Sequence, residues 1–413
     1  MRTLNANLTT AQQVGYPVGG YAPAIQCILY AVDDVTYYDY SFDPTANDNV
    51  LRHISQTEHV FEGGSGKIIL QNNATVPSDL TGYHTDIGWG MNTADGLKYS
   101  VTTRMWVMKQ DKFSRSKQLG RPEYYTVLEL GDAWSAVMMK QPVRLGSAPY
   151  YRLSLAYIND ILDDVTNTYN NLLDKTIYAC IEYLIETALK AQTGISFTLD
   201  ALGTQDDGFI NNPLVIPFPS DGSALIRDIN ETSPSLFATY AEVITSLLEI
   251  TKCTIVPLPN LAFKIMYPQT SDVADETYYT LSSDGIPFYE AIDRKLNMLP
   301  NHVEVYGGMI TDETLTTFGE PEFVGDWFDS DHYSTPPTRP FTPAEIETAY
   351  DGGFMPVTYT IWEQGLASDS ACDDRAEQYG MQYKHEKSSS RIVLPMDTSV
   401  ELYDKVKIEN TRT

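Results

Sequence analysis

Short apolar runs separated by turn-forming clusters dominate the first third of the chain. Ile68, Ile69 and Leu70 form one such run, and the Asn, Pro, Ser and Asp residues that follow, through Asp79, end it. Comparable strand-length runs are IQCILYAVDD, KYSVTTRMWVMKQ and YYTVLELGD. The pattern predicts a β-barrel or β-sandwich over residues 1–150.

Alternation within the second of these runs assigns its side chains to two faces. One face receives Val101, Thr103, Met105 and Val107, and the other receives Arg104 and Trp106. The segment that follows, 111–122 with the sequence DKFSRSKQLGRP, is locally basic. A solvated hairpin is the favoured interpretation, and contact with an acidic neighbour is the alternative.

Helical spacing replaces the strand pattern near residue 150. Apolar residues recur at steps of three to five from Ile158 to Ala188, which predicts one long helix or two joined around NTYNN, and Gly194 is placed to end the pattern. A second amphipathic helix is predicted in SPSLFATYAEVITSLLEITKC, where Ser233 caps the first turn and Pro234 occupies its first helical position. Two predicted strands, CTIVPLPNLAFKIMYP and ETYYTLS, and a helix-like segment over residues 288–300 complete an α+β module.

Strand-like patterns return after residue 300. HVEVYGGMI alternates through Val303 and Val305 and is interrupted at Gly307 and Gly308. A Pro-rich surface insertion with a short helix follows, then a helix in SDSACDDRAEQYGMQYKHEKSS, and finally a strand pair in RIVLPMDTSVELYDKVKIENTRT. The predicted order is therefore β, then α+β, then β.

The charge of the chain excludes one class of function. The 55 acidic and 28 basic residues give a net charge of −27 and a pI near 4.4, which opposes tight binding to a phosphate backbone. No apolar run approaches the roughly 18–20 residues of a membrane span, and the N-terminal residues lack an apolar signal core, so we expect synthesis in the cytoplasm. The four cysteines form no CxxC pair and are expected to be buried thiols.

A search for catalytic motifs returns only partial matches. GGSGK at residues 63–67 resembles a phosphate-binding loop, but Phe61 stands where the first glycine of that motif belongs, and Lys67 is followed by Ile rather than Ser or Thr. The same segment fails as GxSxG because Lys67 takes the last glycine position. The six histidines form no HExxH-like pair and are interpreted as structural or surface residues: His53, His59, His84, His302, His332 and His385.

Acidic pairs offer the remaining candidates for chemistry. Four Asp-Asp doublets, at residues 33–34, 163–164, 206–207 and 373–374, suit a glycosidase or a calcium site, but so acidic a chain produces doublets by chance. DWFDSDHY around Trp327 is the nearest approach to a sugar-binding cluster, whereas the other four tryptophans are spread along the chain. The 28 tyrosines suit wet protein–protein contact.

Three stretches together resemble the hub proteins of phage tail tips. GKIILQNN…SDLTGYHTDIGWGM resembles the strand, turn and strand of that family's first barrel. TSLLEITKCTIVPLPNLAFKIMYPQ and GIPFYEAIDRKLNMLPNHVEVYGG resemble its middle domain and the P-N-x-V-x-V-x-G strand that enters the second barrel. The closing ELYDKVKIENTR resembles its last strand, with Asn410 where an Asp is usual.

The resemblance implies an α+β fold in which two tail-tube-like β-barrel domains flank a central α+β module. The implied domains are a first tube-type barrel at 1–150, a central α+β domain at 151–300, and a second tube-type barrel with an inserted loop and helix at 301–413. Such hubs are trimers that present a pseudo-sixfold ring to the hexameric tail tube. The two β regions do not align with each other residue by residue, so the duplication is implied by the resemblance alone.

A structural role follows from the same resemblance. The expected partners are the chain itself as a homotrimer, the tail tube and distal tail protein, the tape-measure protein, and tail fibre or tip proteins. The expected location is the virion tail tip after assembly in the host bacterial cytoplasm, with DNA passing through an acidic channel rather than binding to it. Neither an enzymatic role nor catalytic, cofactor-binding or metal-binding residues are expected, and any peptidoglycan-cleaving activity is expected on another chain. The alternatives are a hexameric distal tail or tube adaptor protein and, from another class, a carbohydrate-active β-rich enzyme.

Overall fold

The computed structural model describes most of the chain, as a series of ranges separated by gaps. The described residues are 4–14, 22–46, 49–58, 63–71, 76–115, 123–143, 176–203, 210, 239–248, 251, 253–267, 273–279, 286–295, 299–308, 323–351, 355–363, 366, 368–386, 388–401 and 404–409. Over these residues the fold is mixed α+β, with mostly antiparallel sheets and few helices, so the predicted class is confirmed.

One eight-stranded sheet forms the first β region. Its strands are β1 Ala22–Gln26, β2 Ile28–Tyr30, β3 Tyr37–Asp39, β4 Leu51–Thr57, β5 Ser65–Gln71, β6 His84–Thr93, β7 Gly96–Arg115 and β8 Glu123–Asp132. The order is β3-β2-β6-β7-β8-β5-β4, and β1 pairs with β6 beside this path. All the strands predicted from the apolar runs are therefore present. Among the described residues the edge strands β3 and β4 do not pair with each other, so the predicted closed barrel is not confirmed.

The long hairpin of β7 and β8 includes the two faces predicted from alternation. Met105 is fully buried and Thr103 nearly so, but Val101 is exposed and its neighbour Thr102 is buried, because the register with β6 shifts between Asp86 and Gly88 and interrupts the predicted alternation. The register shifts between Val107 and Lys109, which marks a β-bulge in the hairpin. The predicted hairpin at 111–122 is confirmed in its two arms, whereas its tip lies outside the described residues.

Helices and a small sheet form the central region. A π-helical turn Trp134–Met138 follows β8, and a longer helix consists of α2 Ile177–Glu182, a π-helical segment Tyr183–Leu189 and α3 Lys190–Thr193. Gly194 ends this helix with φ 76°, a left-handed conformation that favours glycine, as the sequence predicted. α4 Tyr240–Leu248 matches the second predicted helix, although Ser233 and Pro234 lie outside the described residues.

The small sheet of the central region has the order β10-β11-β9 and packs on these helices. Its strands are β9 Thr198–Leu199, β10 Thr254–Leu258 and β11 Ala262–Met266, and β10 and β11 form a hairpin through the 3-10 turn Pro259–Leu261. The buried side chains of α2, α4 and this sheet form one cluster with Trp134 and Val137. Trp106 of β7 packs against the cluster, its ring 6.4 Å from that of Phe197, and so connects the first sheet to the central region.

Three further sheets follow. The first has the order β13-β12-β19, the second pairs β14 with β18, and the third has the order β16-β15-β17. Their strands are β12 Glu276–Tyr279, β13 Ile286–Pro287, β14 Glu290–Lys295, β15 His302–Gly307, β16 Phe323–Phe328, β17 Thr358–Glu363, β18 Ser388–Val393 and β19 Val406–Glu409. β12 and β19 pair in parallel, as do β15 and β17. Among the described residues none of these sheets closes into a second barrel.

Two predictions for this region are wrong. The helix-like segment at 288–300 contains strand β14, because six residues of that segment pair antiparallel with β18. The two closing strands, β18 and β19, were predicted as a pair, but each takes its partner from earlier in the chain, β14 and β12 respectively. In both cases a distant partner strand overrides local sequence preference.

Helix α6 Asp369–Glu386 covers the β16-β15-β17 sheet. It follows α5 Pro343–Ala349, which is the short helix predicted in the Pro-rich insertion and carries a capping box between Thr342 and Glu345. Val303 and Val305 are fully buried beneath α6, together with Cys372 and Ala376 of the helix itself. The alternation predicted for β15 is therefore confirmed.

Close approach of α6 to the sheet depends on glycine. A Cβ on Gly325 of β16 would lie 2.6 Å from the Cys372 carbonyl oxygen and closer still to the backbone of Asp373. Gly380 of the helix is crowded in the same way against the ring of Trp327. The missing side chains let helix and sheet backbones meet.

The two ends of the described chain are joined by hydrogen bonds. Helix α1 Ala6–Val14 packs Leu8 and Ala11 on Met91 of β6. Gln12 of α1 donates to Asp397 Oδ1 (3.0 Å) and accepts from Thr398 Oγ1 (2.7 Å). None of the described helices is long and apolar enough to span a membrane.

Candidate functional site

A polar cluster on the outer side of the β16-β15-β17 sheet contains the acidic and aromatic motif noted in the sequence. His302 of β15 is fully buried and donates from Nε2 to Asp326 Oδ1 at 3.0 Å, and its Nδ1 lies 3.0 Å from Thr358 Oγ1. Arg339, from the Pro-rich insertion, donates to Asp326 Oδ1 (2.8 Å) and to Glu304 Oε1 (2.7 Å). Residues of β15, β16, β17 and the insertion thus form one connected polar group, and we call it the Asp326 cluster.

Aromatic rings enclose the Asp326 cluster. His302 stacks on Phe328 with ring centres 4.2 Å apart and nearly parallel planes, and Phe341 meets both rings edge-on. The Arg339 guanidinium lies 4.9 Å from the centre of the Phe341 ring, a cation–π distance. The rings exclude water on one side of the ion pairs and therefore strengthen them.

Burial and charge act in opposite directions on Asp326. Burial raises the pKa of its carboxyl, but hydrogen bonds and charge from His302 and Arg339 lower it by more, so the pKa lies below the ordinary value. The Arg339 guanidinium, although partly desolvated, has its pKa raised by Asp326 and Glu304. A glycosidase acid needs a raised pKa so that it keeps a proton to donate, and Asp326 has the opposite shift.

The neighbouring carboxylate, Asp329, is also committed to structure. It is almost fully buried and accepts from Lys384 Nζ of α6 at 2.7 Å and from the Asp331 backbone N–H at 3.1 Å. Burial raises its pKa, and the hydrogen bonds from Lys384 and Asp331 lower it below the ordinary value. Trp327 packs against α6 rather than forming an open platform. The DWFDSDHY motif therefore fastens the insertion and α6 to the sheet.

The glycine-rich GGSGK segment also has a structural role. The buried carboxylate of Asp132 accepts from Gly64 N (2.6 Å), Ser135 N (2.9 Å) and Ser135 Oγ (3.0 Å). Burial raises the pKa of Asp132, and these hydrogen bonds oppose the rise. A phosphate loop offers its backbone N–H groups to an anion, but in this segment the Gly64 N–H already donates to a carboxylate, so a phosphate there would meet negative charge.

A second histidine cluster lies at one end of the first sheet. His84 Nε2 approaches Asp34 Oδ1 at 2.9 Å, and Arg104 donates to both oxygens of Asp86. Burial lowers the pKa of His84, assisted by the positive charge of Arg104, although Asp34 and Asp86 oppose this. The ring of Tyr30 stacks on His84 at 5.8 Å. These contacts hold the β2–β3 turn, which contains Asp34, against the sheet.

The structure separates the other candidates. Asp373 accepts from Asp326 N at 2.9 Å, and Asp33 accepts from the N–H groups of Val35 and Thr36 within its own turn. His332 lies 3.9 Å from Asp329, and His53 is exposed. The doublets at 163–164 and 206–207, His59 and the side chain of His385 lie outside the described residues.

Metal and thiol chemistry receive no support from the described part of the chain. No group of three or more His, Cys, Asp or Glu side chains suited to a metal ion occurs there. All four cysteines are buried thiols, as the sequence predicted, and burial raises the pKa of Cys27 to about 12. A thiol with so high a pKa is inert near neutral pH.

Exposed apolar side chains distinguish two surfaces of the first sheet that sequence reasoning did not single out. Val32, Val35 and Tyr37 project from the turn between β2 and β3, and Phe113 and Tyr124 project from the β7–β8 hairpin. Isolated apolar residues at a surface are ordinary, but groups of them on protruding turns are typical of protein contacts. In the sequence, the only sign of these two exposed surfaces is the run of aromatic and β-branched residues in each segment.

Comparison with known structures identifies the fold. The tail protein from Neisseria meningitidis MC58 superposes with a TM-score of 0.54 at 10% sequence identity, over 94% of this chain and 87% of that one. This chain has the fold of a tail protein. The predicted resemblance to phage tail proteins is thus confirmed at the level of fold, while finer roles are not transferred at this identity.

A second comparison agrees in kind, although its score is too low to add weight. The 43 kDa tail protein of prophage MuSo2 from Shewanella oneidensis gives a TM-score of 0.49 at 9% identity, over 94% of this chain and 89% of that one. No protein-family model and no curated protein matches the sequence.

Proposed function

We propose that this chain is a structural hub protein of a phage tail tip. Three copies form a ring that caps the tail tube, attaches tip or fibre proteins and lines the channel through which DNA leaves. The observation that supports the proposal is the tail-protein fold over nearly the whole chain. In the described residues the conspicuous buried carboxylates serve structural contacts, which accords with an assembly role.

The proposal includes the domain plan derived from the resemblance. Residues 1–150 and 301–413 form two tube-type barrels on either side of the central domain 151–300. Two barrels in each of three copies would match the sixfold symmetry of a tail tube. The tail tube, the distal tail protein, the tape-measure protein and tail fibre or tip proteins are the proposed partners, at the tail tip of virions assembled in the bacterial cytoplasm.

The acidity of the chain suits a channel for DNA. A net charge of −27 repels phosphate, so DNA would slide past an acidic wall instead of adhering to it. Replacing acidic residues that face the channel by lysine is expected to slow genome ejection, measured as the rate of DNA release from purified virions. Unchanged ejection would count against this role for the charge.

The absolute mass of the purified chain tests the proposal. Light scattering followed by negative-stain class averages is expected to give a trimeric ring with a central hole. A hexamer would instead favour a distal tail or tube adaptor protein, since a hexameric ring would match the tube directly. A monomer at every concentration reached would contradict ring formation by this chain alone.

A further inference from the structure

Three side chains of the Asp326 cluster form a continuous chain of hydrogen bonds. The hydroxyl oxygen Oγ1 of Thr358 lies 3.0 Å from His302 Nδ1, and His302 Nε2 lies 3.0 Å from Asp326 Oδ1. The three residues come from β17, β15 and β16, and the parallel register places Thr358 directly beside His302. A hydroxyl next to a base that a third group orients is the arrangement that activates a nucleophile in covalent catalysis.

Charge determines where the protons of this chain lie. Burial raises the pKa of Asp326, but hydrogen bonds and charge from His302 and Arg339 lower it by more, so its carboxylate is ionised at neutral pH and only accepts hydrogen bonds. In its neutral form His302 therefore carries its proton on Nε2, which faces Asp326, and leaves Nδ1 as an acceptor. The Thr358 hydroxyl then donates to Nδ1, which is the direction that removal of its proton requires.

Packing holds the imidazole in one orientation. The side chain of His302 has no exposed surface, Phe328 stacks on it with ring centres 4.2 Å apart, and Phe341 meets it edge-on at 5.9 Å. Arg339 donates to the same oxygen of Asp326 that His302 contacts, at 2.8 Å. A base that is fixed before the reaction needs no rearrangement when charge develops.

Thr358 is the member of the chain that a substrate reaches. It is exposed, whereas the side chain of Asp326 is 11% exposed and that of His302 is fully buried. Thr358 is also the first residue of β17, which lies at the end of its sheet among the described strands. An approaching molecule therefore meets the hydroxyl before it meets the base.

The backbone of the same residue supplies a donor for negative charge. The Val357 N–H donates to Asn301 Oδ1 at 2.9 Å and the Val357 carbonyl accepts from the N–H of His302 at 3.2 Å, so the backbone groups of Val357 face β15. Successive residues of a strand direct these groups to opposite sides, so the Thr358 N–H faces the edge where no described strand lies. An N–H beside the nucleophile is placed to stabilise an oxyanion.

We propose that Thr358 is the nucleophile of an ester-cleaving site, with His302 as its general base and Asp326 as the residue that orients His302. Thr358 Oγ1 attacks the carbonyl carbon of the ester, its proton passes to His302 Nδ1, and the Thr358 N–H binds the oxyanion. The bond from that carbon to the alcohol oxygen then breaks, and the alcohol leaves with the proton from Nδ1. Water, which gives a proton to Nδ1 in the same way, cleaves the acyl-threonine to a carboxylic acid and restores the hydroxyl.

The position of Thr358 indicates the class of substrate. An exposed residue grips little of an acyl chain, and the methyl group of threonine crowds the attacked carbon, so short acyl groups such as acetyl are expected. Esters are expected in preference to amides, since an alcohol is the better leaving group. This activity is additional to the proposed structural role and does not depend on a ring.

An alkyl fluorophosphonate tests for an activated hydroxyl, because it transfers its phosphonyl group to such an oxygen with loss of fluoride. Mass-spectrometric peptide mapping of the full chain is expected to find the fastest adduct on Thr358. Thr358→Val, of nearly equal volume, is expected to lose the adduct, and Thr358→Ser is expected to react faster than the wild type because serine is less crowded. Thr360→Val is the matched control, since it removes an exposed hydroxyl from the same face of the same strand and is expected to label as the wild type does.

Hydrolysis of p-nitrophenyl acetate provides the second measurement. Thr358→Val is expected to lose the protein-dependent rate, whereas Thr360→Val is expected to keep it. Asp326→Asn is expected to lower kcat by roughly a hundredfold or more with little change in KM, because Asp326 orients the base and does not touch the substrate. Circular dichroism at neutral pH checks the fold of every variant, and the two Thr358 variants decide the question if Asp326→Asn does not fold.

The outcomes separate this site from the proposed function. An adduct on Thr358 in the wild type and in Thr360→Val, with turnover that Thr358→Val loses, would uphold the site whatever the mass of the assembly. Labelling of Thr358 no faster than that of Thr360, or turnover that persists in Thr358→Val, would overturn it. A trimeric ring without labelling would thus remove the site and leave the hub proposal standing, whereas a labelled monomer would do the reverse.

Discussion

Replacing Gly325 by alanine is expected to separate helix α6 from the sheet beneath it. The added Cβ would lie 2.6 Å from the Cys372 carbonyl oxygen, whereas ordinary contact begins near 3.4 Å. Both sides of the clash are backbone, so no side-chain rotation relieves it and the helix must retreat by roughly an ångström. Overpacking of a core costs about 1–3 kcal/mol, and we expect the upper end, about 3 kcal/mol, because the retreat also loosens buried Val303 and Val305.

Hydrogen exchange of the β16 peptide, residues 323–328, measures this cost locally. A loss of about 3 kcal/mol corresponds to exchange roughly a hundredfold faster. Gly96→Ala is the control, since nothing lies within 4 Å of its added Cβ and only its positive φ of 91° is strained, at a cost of about 1 kcal/mol. Exchange in β16 no faster for Gly325→Ala than for the control would refute the close packing of α6 on this strand.

Four further predictions concern polar groups that are buried or partly buried. Arg339→Met is expected to destabilise the insertion by about 1–3 kcal/mol, discounted because Arg339 is partly exposed, and limited proteolysis of 331–351 should report it. The pKa of Asp326 is lowered on folding. The stabilising contribution of its carboxylate is therefore present above the unfolded pKa of about 3.9 and is lost as the pH falls from that value through the lower pKa of the folded state. Acid titration of Asp326→Asn should consequently show a flatter loss of stability than that of the wild type. Asp132→Ala leaves the N–H groups of Gly64 and Ser135 without an acceptor and is expected to cost about 2–5 kcal/mol in urea unfolding; a cost under about 1 kcal/mol would contradict its structural role. Cys27, with a pKa of about 12, is expected to resist thiol reagents at pH 8 until the chain unfolds, and labelling of the folded protein at this position would disprove its burial.

Local sequence signals are sufficient to predict those structural features that depend on residues adjacent in the chain. Alternation placed Val303 and Val305 in the core, and Gly194 ended its helix, because strand faces and helix ends depend on adjacent residues. The segment 290–295 was misassigned because its helix-favouring residues pair with β18, almost a hundred positions later. Sheet partners of this kind depend on the whole fold and leave no mark in a local window.

The candidate site illustrates the same limit. The motif around Trp327 was noted as a possible cluster of acids and rings, but its cationic partners, Arg339 and Lys384, come from an insertion and a later helix. Spacing along the chain gave no sign that these cations would neutralise the carboxylates.

Parallel pairing of β12 with β19 means that this sheet is completed only near the end of synthesis. The partner of Glu276–Tyr279 is Val406–Glu409, and the contact between Asp275 and Lys405 nearby spans 130 positions. At about 5–20 residues per second, β12 waits roughly 6 to 25 seconds on the ribosome for the strand that covers its edge. During that interval the edge is open to other nascent chains, so crowded polysomes are where this protein is most exposed to mispairing.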